Sequence, residues 1–428
     1  MEFQVVILAG GTGTRLYPLT EHTTKSLLPV ANRPLVSYQL ALLERSGFKE
    51  ALVATTPAAK EAMDFFLSND YKGDVQVEVC VVDEDMETAD VLRCLKDKIT
   101  RDFVVVSGDL ITDVFLHHLA DVHRIHDATC TVLLRAPKPV NLPTGSKAPK
   151  VEGATLDFVG LDEKRSRLLV LESAADVDEK LVVPRRVLRA FPNITITNKM
   201  LDAHFYIFSH WVLELLKSRP ELTSIKSELI PFLLAHQFSP EPVLNPGQPL
   251  LDADGSLDED DMDVERPDQF RPIQVHCLVY DSGYCSRADS LHSYKEMNLE
   301  VPRHQGHGVP WASCVSFPDK VEDEKKLLFK KVGGECVVGE GFTIGDKSSI
   351  KKSVIGKHCT IGSNVKIVNS IIHSHVKIQD NVTLTGCVVC DNAYIDSECT
   401  LTNCQVGSQY SVEAESTLKN DSLVVGDD

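Results

Sequence analysis

Residues 350–384 read IKKSVIGKHCTIGSNVKIVNSIIHSHVKIQDNVTL, and an aliphatic residue returns in this stretch at steps of five, six and six. The full period is 17 residues, and it continues on both sides of the quoted segment. Three aliphatic columns follow this period: Val338, Ile355, Ile372, Val389 and Val406; Ile344, Ile361, Ile378, Ile395 and Val412; and Ile350, Ile367, Leu384, Leu401 and Leu418. Repeats of this kind predict a three-sided parallel β-helix with about five stacked coils.

Small residues and two cysteines also follow the 17-residue period. One further column holds Ser348, Val365, Val382 and Cys399, and we expect it to face the crowded interior. Cys387 and Cys390 form a C-x-x-C motif, but each falls in a repeat column, the first with Ser353 and Ser370 and the second with Gly356, His373 and Gly407. Zinc needs four convergent ligands, and the sequence has no second such motif. We therefore interpret both cysteines as repeat positions rather than metal ligands.

The first 300 residues show a different pattern, in which strand and helix periodicities alternate. Strands are predicted at 3–8, 51–56, 75–82, 102–109 and 128–135, and helices at 34–47, 58–67, 88–99 and 114–126. Further along, 201–216 predicts a strand that runs into a helix, and 224–238 predicts a helix interrupted at Pro231. This alternating order predicts an α/β, Rossmann-like domain with a mostly parallel sheet and helices on both faces.

Composition divides the chain into three predicted parts. We expect the α/β domain over 1–300, a linker over 301–334 and the β-helix over 335–428. The segment 239–272 is rich in proline and then in acidic residues, which predicts a disordered surface insertion. Within it, Asp252–Gly255 resembles half of a calcium loop, but the remaining ligand positions do not fit. We interpret it as a solvated segment.

Bulk composition excludes several classes of protein. The 428 residues carry 44 Lys and Arg against 62 Asp and Glu, a formal net charge of −18, which disfavours direct nucleic-acid binding. No run of 18 apolar residues and no export signal is present, so we expect no membrane span and a cytosolic protein with reduced cysteines. Four histidines share one predicted helix without sharing a face, which disfavours a metal site: His117, His118, His123 and His126.

The first strand runs into LAGGTGTRLYPLTEHTTKSLLPV, residues 8–30. Its glycines allow a sharp turn and a close approach of the backbone to phosphate. Arg15 can grip phosphate oxygens through two donors, and Lys25 adds a point charge. Asp109 ends another strand, at the edge where such sheets bind ligands, and a carboxylate there suits Mg²⁺. The candidate nucleotide-binding residues are Leu8, Ala9, Gly10, Gly11, Gly13, Thr14, Arg15, Lys25 and Asp109.

This stretch, extended through LLPVANRPLV at 27–36, closely resembles the signature of the sugar-phosphate nucleotidyltransferases. That family, which includes the GDP-mannose and ADP-glucose pyrophosphorylases, joins a nucleotide-binding α/β domain to a left-handed hexapeptide β-helix, so the resemblance covers most of the chain. It implies that the loop and Arg15 hold a nucleoside triphosphate. It also implies that Lys25 and two Asp-bound Mg²⁺ ions, one of them on Asp109, assist attack of a sugar phosphate on the α-phosphorus.

The chain departs from this family around the implied site. Glu87 stands where the family normally has a glycine that lets the nucleotide base approach. Thr24 replaces the proline that usually precedes the lysine at position 25. Asp202-Ala203-His204 replaces the Asn-x-Gly that contacts the sugar, and DEKRSR at 162–167 lacks the proline of the Glu-Lys-Pro segment. Arg287 stands at the position of the second metal-binding aspartate, and an arginine cannot ligate Mg²⁺. We therefore expect no metal, no catalytic residues and no pyrophosphorylase activity.

A narrower resemblance is carried by DLITDV at 109–114, TSIKSELIPFLL at 223–234 and GYCSRADSL at 283–291. These strings are similar to the gamma-subunit family of the guanine-nucleotide exchange factor for eukaryotic translation initiation factor 2. The resemblance implies a non-catalytic regulatory or assembly subunit that pairs directly with the epsilon subunit, alongside beta, delta and alpha subunits and initiation factor 2. It implies no cofactor, although the intact loop keeps weak nucleotide or sugar-nucleotide binding open. An active pyrophosphorylase and a nucleotide-sensing subunit remain the alternatives.

Overall fold

The computed structural model describes residues 2–136, 157–164, 166–174, 181, 183–238, 273–304, 331–333 and 335–424. The chain divides into two compact units. The first consists of Met1–Val6, Asp85–Val106 and Val114–Ser282, and the second of Ile7–Glu84, Ser107–Asp113 and Gly283–Asp428. The acidic insertion with its calcium-like segment and most of the predicted linker lie outside the described residues, and the predicted domain boundaries stay predictions.

The two units contain the following elements before the repeats begin. The strands are β1 (Gln4–Leu8), β2 (Pro29–Val30), β3 (Arg33–Pro34), β4 (Glu50–Thr55), β5 (Gln76–Val81), β6 (Phe103–Ser107), β7 (Leu110–Thr112), β8 (Cys130–Arg135), β9 (Asp157–Asp162), β10 (Leu168–Ser173), β11 (Ile194–Thr197), β12 (Leu201–Phe208), β13 (Val275–Tyr280) and β14 (Cys285–Arg287). The α-helices are α1 (Leu35–Arg45), α2 (Pro57–Asn69), α3 (Thr88–Cys94), α4 (Leu116–Ile125), α5 (Arg185–Ala190), α6 (Val212–Ser218), α7 (Ile230–His236) and α8 (Leu291–Glu300). Short 3-10 turns cover Thr14–Leu16, Lys25–Leu27, Lys96–Lys98 and Val301–His304.

In the first unit, four strands lie in the order β13-β8-β12-β6. β13 pairs with β8 in parallel, whereas β12 is antiparallel to both of its neighbours. The expected α/β fold is confirmed, with one reversed strand that the sequence pattern did not predict. The chain reaches β12 through a small antiparallel sheet of order β10-β9-β11. Only a βαβ crossover requires the two strands that it joins to be parallel, so this connection allows β12 to run in the opposite direction.

The helix predicted at 224–238 is not interrupted at Pro231. A π-helical turn over Ile225–Leu229 leads directly into α7, and the N–H of Ile230 donates to the carbonyl of Ile225. Pro231 lies in the first turn of α7, a position where proline's missing N–H is tolerated. The wider preceding turn therefore lets the chain continue as a helix through the proline.

The histidines of the predicted helix at 114–126 lie in different surroundings. His117 and His118 are exposed on α4. His123 is buried, with its Nδ1 atom 2.9 Å from Oγ1 of Thr131. The ring of His126 stacks on that of the buried His276, with 4.0 Å between the ring centroids. His123 and His126 thus have separate packing roles, whereas His117 and His118 face solvent.

We expect the first unit to lose stability as the pH falls from about 6.5 towards 4. Burial lowers the pKa of His123 and of His276 to about 4. In this window the unfolded chain binds protons that the folded chain does not, so the free energy of unfolding falls by about 1.4 kcal/mol per pH unit for each histidine. Urea unfolding across this window should show a flatter pH dependence in His123→Gln than in the unmodified chain. His117→Gln, on the same helix, should keep the original slope, and an unchanged slope in His123→Gln would contradict the assignment.

In the second unit, three strands lie in the order β1-β4-β5, with β4 and β5 parallel. The N–H of Ala9, just after β1, donates to the carbonyl of Ala54 at 2.8 Å. α1 ends at Arg45, two residues before the predicted end, because Gly47 adopts a left-handed φ of 81°. Its N–H donates to the carbonyl of Glu44, which closes the helix end.

The repeats form the predicted β-helix. Its strands are β15 (Val337–Val338), β16 (Thr343–Ile344), β17 (Ser349–Lys351), β18 (Val354–Ile355), β19 (Thr360–Ile361), β20 (Lys366–Val368), β21 (Ile371–Ile372), β22 (Lys377–Ile378), β23 (Thr383–Thr385), β24 (Val388–Val389), β25 (Tyr394–Ile395), β26 (Thr400–Thr402), β27 (Gln405–Val406), β28 (Ser411–Val412), β29 (Thr417–Lys419) and β30 (Ser422–Leu423). Every third strand belongs to the same parallel sheet, so three sheets form the three sides.

The register of these sheets is one repeat per coil. Ile350 lies opposite Ile367, and Ile367 opposite Leu384, so each predicted aliphatic column is a stack of residues in paired strands. The predicted small inward column is confirmed, because Ser348, Val365, Val382 and Cys399 are all buried. Stacking of identical positions therefore builds one continuous hydrophobic core.

Cys387 and Cys390 face opposite sides of the β-helix wall. Cys387 belongs to the inner core, together with Val389 and Cys404. Cys390 belongs to a second hydrophobic cluster outside the wall, together with Val388. The two cysteines flank β24, and their thiols lie on opposite faces of the wall. They therefore do not converge on one metal ion, which agrees with their interpretation as repeat positions.

The second hydrophobic cluster joins one outer face of the β-helix to the rest of the second unit. Outward residues of the sheet β15-β18-β21-β24-β27-β30 pack against Leu28 and Val30, which follow Lys25, and against Tyr294 of α8. The hydroxyl of Tyr294 donates to the carbonyl of Pro29 and lies 3.0 Å from Nε2 of His373. The end of the segment 8–30, which carries the glycine loop, therefore packs directly against the β-helix.

Candidate functional site

The glycine loop follows β1 and is open on its outer side. Gly13 has a left-handed φ of 69°, and its carbonyl accepts a hydrogen bond from the hydroxyl of Thr20 at 3.0 Å. A Cβ atom at Gly13 would lie 2.8 Å from a Thr20 methyl group, so only glycine fits. At Gly11, in contrast, a Cβ atom would meet nothing within 4 Å. Thr14 and Arg15 are also exposed, so a ligand can reach this side of the loop.

Lys25 lies beneath this loop. Its Cβ atom is 3.2 Å from where a Gly13 Cβ would stand, so the lysine stem packs against the turn. The 3-10 turn Lys25–Leu27 directs the ammonium group to the carboxylate of Asp109, with which it forms an ion pair. The structure thus brings together Lys25 and Asp109, which are 84 residues apart in the chain.

Asp109 lies between β6 and β7, directly after a glycine. The N–H of Gly108 donates to the carbonyl of Leu8 at 2.8 Å, and a Cβ atom at Gly108 would lie 2.9 Å from that same oxygen. Gly108 therefore permits the strand end to approach the start of the glycine loop. The Asp109 side chain is only 2% exposed, so the carboxylate depends on protein groups for its hydrogen bonds.

Arg287 meets Asp109 because β14 pairs with β7 in antiparallel register. Arg287 lies opposite Leu110, and the N–H of Ala288 donates to the Asp109 carbonyl at 3.0 Å. The guanidinium group then grips the carboxylate with two parallel hydrogen bonds, from Nε to Oδ1 and from Nη2 to Oδ2, both 3.0 Å. This fork is the strongest pairing geometry available to arginine and a carboxylate.

Four donors surround the Asp109 carboxylate. Oδ1 accepts from Arg287 Nε and from the hydroxyl of Ser107, and Oδ2 accepts from Arg287 Nη2 and from Lys25. An ionised carboxylate offers about four lone-pair positions, so these donors use all of them. Burial alone would raise the pKa of Asp109, but the charges of Arg287 and Lys25 hold it well below its usual range. The group is a permanent, fully paired anion.

The Mg²⁺ implied by the family resemblance does not fit these residues. Mg²⁺ requires an oxygen ligand at about 2.0–2.1 Å, and no lone pair of Asp109 is available without breaking a charged hydrogen bond. Two cations also contact the carboxylate and would repel a third. Among the residues that the structure describes, no group of three or more His, Cys, Asp or Glu side chains forms a metal site.

Two residues singled out near the implied base and sugar positions lie in the first unit and have structural roles. Glu87 caps α3, and it forms a reciprocal capping box with Asp90. His204 has a left-handed φ of 51°, where the register of β12 shifts, and its N–H donates to Asp202 at 2.8 Å. Glu87 thus stabilises a helix end, and His204 occupies a strand irregularity.

The described residues of the DEKRSR segment, 162–164 and 166–167, lie between β9 and β10 or at their ends. Oδ1 of Asp162 accepts the N–H groups of Ser166 and Arg167 at 2.8 and 2.9 Å. Glu163 and Lys164 are exposed. Asp162 therefore links the end of β9 to the residues that precede β10.

Sequence reasoning missed two supporting features of the site. Ser107 contributes one of the four hydrogen bonds to Asp109, and its place two residues earlier on the same strand end was the available signal. The contacts of α8 were also missed: Asn298 accepts the N–H of Ala31 at 2.9 Å, and Lys295 donates to the carbonyl of Gly386 at 3.0 Å. These contacts depend on chain segments far apart in sequence, which no local pattern reveals.

The fold and the site define a nucleotidyltransferase-type α/β region followed by a left-handed β-helix. Two family models agree with this description: "Nucleotidyl transferase" matches residues 4–145, and "EIF2B subunit epsilon LbH domain" matches residues 324–424. The chain is also 25% identical over 238 residues to mannose-1-phosphate guanylyltransferase 1 of Arabidopsis thaliana, covering 55% of this chain and 57% of the relative. The class is therefore that of the nucleotidyltransferase-like proteins with a β-helix.

Higher similarity identifies the family within that class. The chain is 32% identical over 388 residues to translation initiation factor eIF2B subunit gamma of Dictyostelium discoideum, covering 82% of this chain and 87% of the relative. It is 31% identical over 357 residues to the Schizosaccharomyces pombe subunit of the same name, covering 82% and 74%. The chain belongs to the family of translation initiation factor eIF2B gamma subunits. In its described part, no helix has the length and apolar character needed to cross a membrane.

Proposed function

We propose that this chain acts in the cytosol as a non-catalytic subunit of the eIF2B guanine-nucleotide exchange complex and pairs directly with the epsilon subunit. Similarity to the gamma subunits over most of the chain supports this role. The epsilon subunit of Schizosaccharomyces pombe is itself 21% identical to this chain over 308 residues, which makes the proposed partner a related protein. The beta, delta and alpha subunits and initiation factor 2 complete the proposed set of partners.

Co-expression with the epsilon subunit of the same organism tests this role. We expect the two chains to copurify in a complex whose native mass equals a simple multiple of the two subunits together. Adding this chain to the epsilon subunit should also increase the rate of GDP release from initiation factor 2. A chain that stays separate from epsilon at micromolar concentration, and leaves its exchange rate unchanged, would contradict the proposal.

The observation that supports the loss of catalysis is the saturated Asp109 carboxylate. Nucleotidyl transfer by this class depends on carboxylate-bound metal, whereas here Arg287 and Lys25 bind both carboxylate oxygens. We therefore expect no pyrophosphate release from a nucleoside triphosphate and a hexose 1-phosphate in the presence of Mg²⁺. Turnover that Arg15→Ala abolishes would show instead that the chain is an active pyrophosphorylase.

A further inference from the structure

Charge is distributed unevenly along the β-helix. From 339 to 380 there are six lysines and three carboxylates, whereas from 381 to 424 there are one lysine and six carboxylates. The first coils therefore carry excess positive charge in a chain whose net charge is −18. At physiological salt, charges farther apart than about 8 Å are largely screened, so the charge of these coils, rather than that of the whole chain, determines which groups bind there.

One side of the β-helix combines this positive charge with small hydroxyl side chains. In the strands β17, β20, β23, β26 and β29, the middle residue points into the core, so the first and third residues point outward. These outward residues are Ser349, Lys351, Lys366, Val368, Thr383, Thr385, Thr400, Thr402, Thr417 and Lys419. All are exposed or half-buried, and no carboxylate is among them. We call this surface the lysine–threonine face.

The corner column at one edge of the lysine–threonine face also lacks carboxylates. It consists of Lys352, Asn369, Gly386, Asn403 and Asn420. At the other edge, carboxylates occur only in the last two coils, as Glu398 and Glu415. Of the remaining two sides, one packs within the second hydrophobic cluster, and the other has Asp396 and Glu413 directly after β25 and β28. Positive charge and hydroxyl groups without carboxylates are thus specific to one side of the β-helix.

The polar groups of this face are available to a partner. Within the described residues, Lys351, Lys366 and Lys419 form no ion pair. Lys352, at the edge, lies 3.9 Å from Glu335, and both side chains are about half exposed. The hydroxyl groups of the face form no hydrogen bond with any described residue. A partner can therefore bind these groups without first breaking a contact inside the described part of the chain.

The side chains of this face are short and regularly spaced. Thr383 lies opposite Thr400, and Thr385 opposite Thr402, on neighbouring strands. Such strands are about 4.8 Å apart. Threonine is stiff at χ1 because its Cβ is branched, so these rows need little further ordering when a partner binds. The backbone of an extended segment can therefore approach the sheet closely across several coils.

The chemistry of the face favours carboxylates over the phosphates of a nucleic acid. Its cations are all lysines, and it has no arginine to bind a phosphate with two parallel hydrogen bonds. It also has no aromatic residue on which a nucleic-acid base would stack. Hydroxyl and amide side chains both donate and accept hydrogen bonds, which matches the peptide groups of a polypeptide. A protein segment rich in Asp and Glu therefore fits this face better than a nucleic acid does.

From these observations we propose that the lysine–threonine face is a docking surface for a carboxylate-rich segment of a partner protein. The carboxylates pair with Lys351 and Lys366, and the backbone of the segment lies against the threonine rows. The proposal goes beyond the subunit role, which rests on similarity over most of the chain rather than on this face. Its failure would leave that role intact.

Calorimetry on the full chain, with a peptide of alternating glutamate and serine residues as the probe, tests the proposal. We expect measurable binding that weakens as salt increases, because the contacts join exposed charges. A peptide of alternating glutamine and serine should not bind, and a single-stranded RNA of equal charge should bind more weakly than the glutamate peptide. No binding at millimolar glutamate peptide, or binding of the RNA that is as tight or tighter, would overturn the proposal.

Paired variants separate this face from general charge attraction. The double variant Lys351→Ala, Lys366→Ala removes two lysines from the face and should weaken peptide binding by about threefold to tenfold, the usual effect of losing two exposed ion pairs. The double variant Lys357→Ala, Lys377→Ala removes two exposed lysines that lie outside the face and should leave binding unchanged. An equal loss in both double variants would contradict a defined docking surface.

Carbodiimide crosslinking locates the peptide on the unmodified chain. This reagent converts a carboxylate and a lysine that contact each other into an amide, so the modified lysines mark the docking surface. Mass spectrometry should find the glutamate peptide attached to Lys351, Lys352 and Lys366, and not to Lys357 or Lys377. Crosslinks distributed evenly over all of these lysines would overturn the proposal even if the variants fold poorly.

Discussion

Replacing Asp109 with asparagine is expected to lower the free energy of unfolding of the second unit by about 3–5 kcal/mol. The carboxylate is 2% exposed and holds Arg287 through a two-bond fork and Lys25 through an ion pair. A neutral amide removes the negative charge that both cations contact in a largely buried site, and its NH₂ group cannot accept their hydrogen bonds. Urea unfolding followed by circular dichroism measures the loss.

Two further variants isolate the cause. Asp64→Asn removes an exposed carboxylate from α2 and should change stability by less than about 0.5 kcal/mol. Adding Arg287→Gln to Asp109→Asn should recover part of the loss, because the double variant has one positive charge fewer beside the neutral amide. A loss below about 1 kcal/mol in Asp109→Asn, the range of surface ion pairs, would show that solvent screens this group.

Replacing Leu401 with aspartate should unfold the β-helix. Leu401 is fully buried in the core column, paired in register with Leu384 on one side and Leu418 on the other. An unpaired carboxylate there has no hydrogen-bond donor in the aliphatic core, so the expected loss exceeds about 4–5 kcal/mol. Because the coils bury their inner core by stacking on one another, the damage should spread along the stack.

Limited proteolysis and circular dichroism report this result. The variant Leu401→Asp should lose β-structure and become sensitive to protease between 335 and 424 under conditions that leave the unmodified chain intact. Thr400→Asp is the matched control, because Thr400 is the neighbouring residue on the same strand but is exposed. If both variants remain equally resistant, the packing of this column does not determine the stability of the coil.

The repeat region was predictable almost residue by residue. A period of 17 residues returns each aliphatic position to the same side of the coil, and paired strands lie one period apart, as with Ile367 opposite Leu384. The interior tolerates only small side chains at one position, and this constraint is visible in the sequence as Val365, Val382 and Cys399. Local pattern suffices here because paired strands of neighbouring coils place equivalent positions opposite one another.

The fold class of the α/β region was predictable, but the direction of each strand and the continuity of each helix were not. Alternating strand and helix patterns indicated its class, yet the antiparallel direction of β12 and the continuity of the helix through Pro231 were not visible. Strand direction depends on the path of the connecting chain, and the helix depends on a wide turn that accommodates proline. Both are properties of the folded backbone rather than of residue type.

The sequence by itself determined which residue types are present at the site: a glycine loop, Arg15, Lys25 and Asp109, and an arginine where the family resemblance implies a second metal-binding aspartate. Only the tertiary structure decided what they do to one another. The pairing of β14 with β7 places Arg287 against Asp109, and the turn at Lys25 brings the ammonium group to the same carboxylate. A carboxylate binds metal only if its lone pairs are free, and whether they are free depends on contacts between residues up to 178 positions apart. Spacing along the chain shows which groups exist, whereas distances in the fold show which of them are already used.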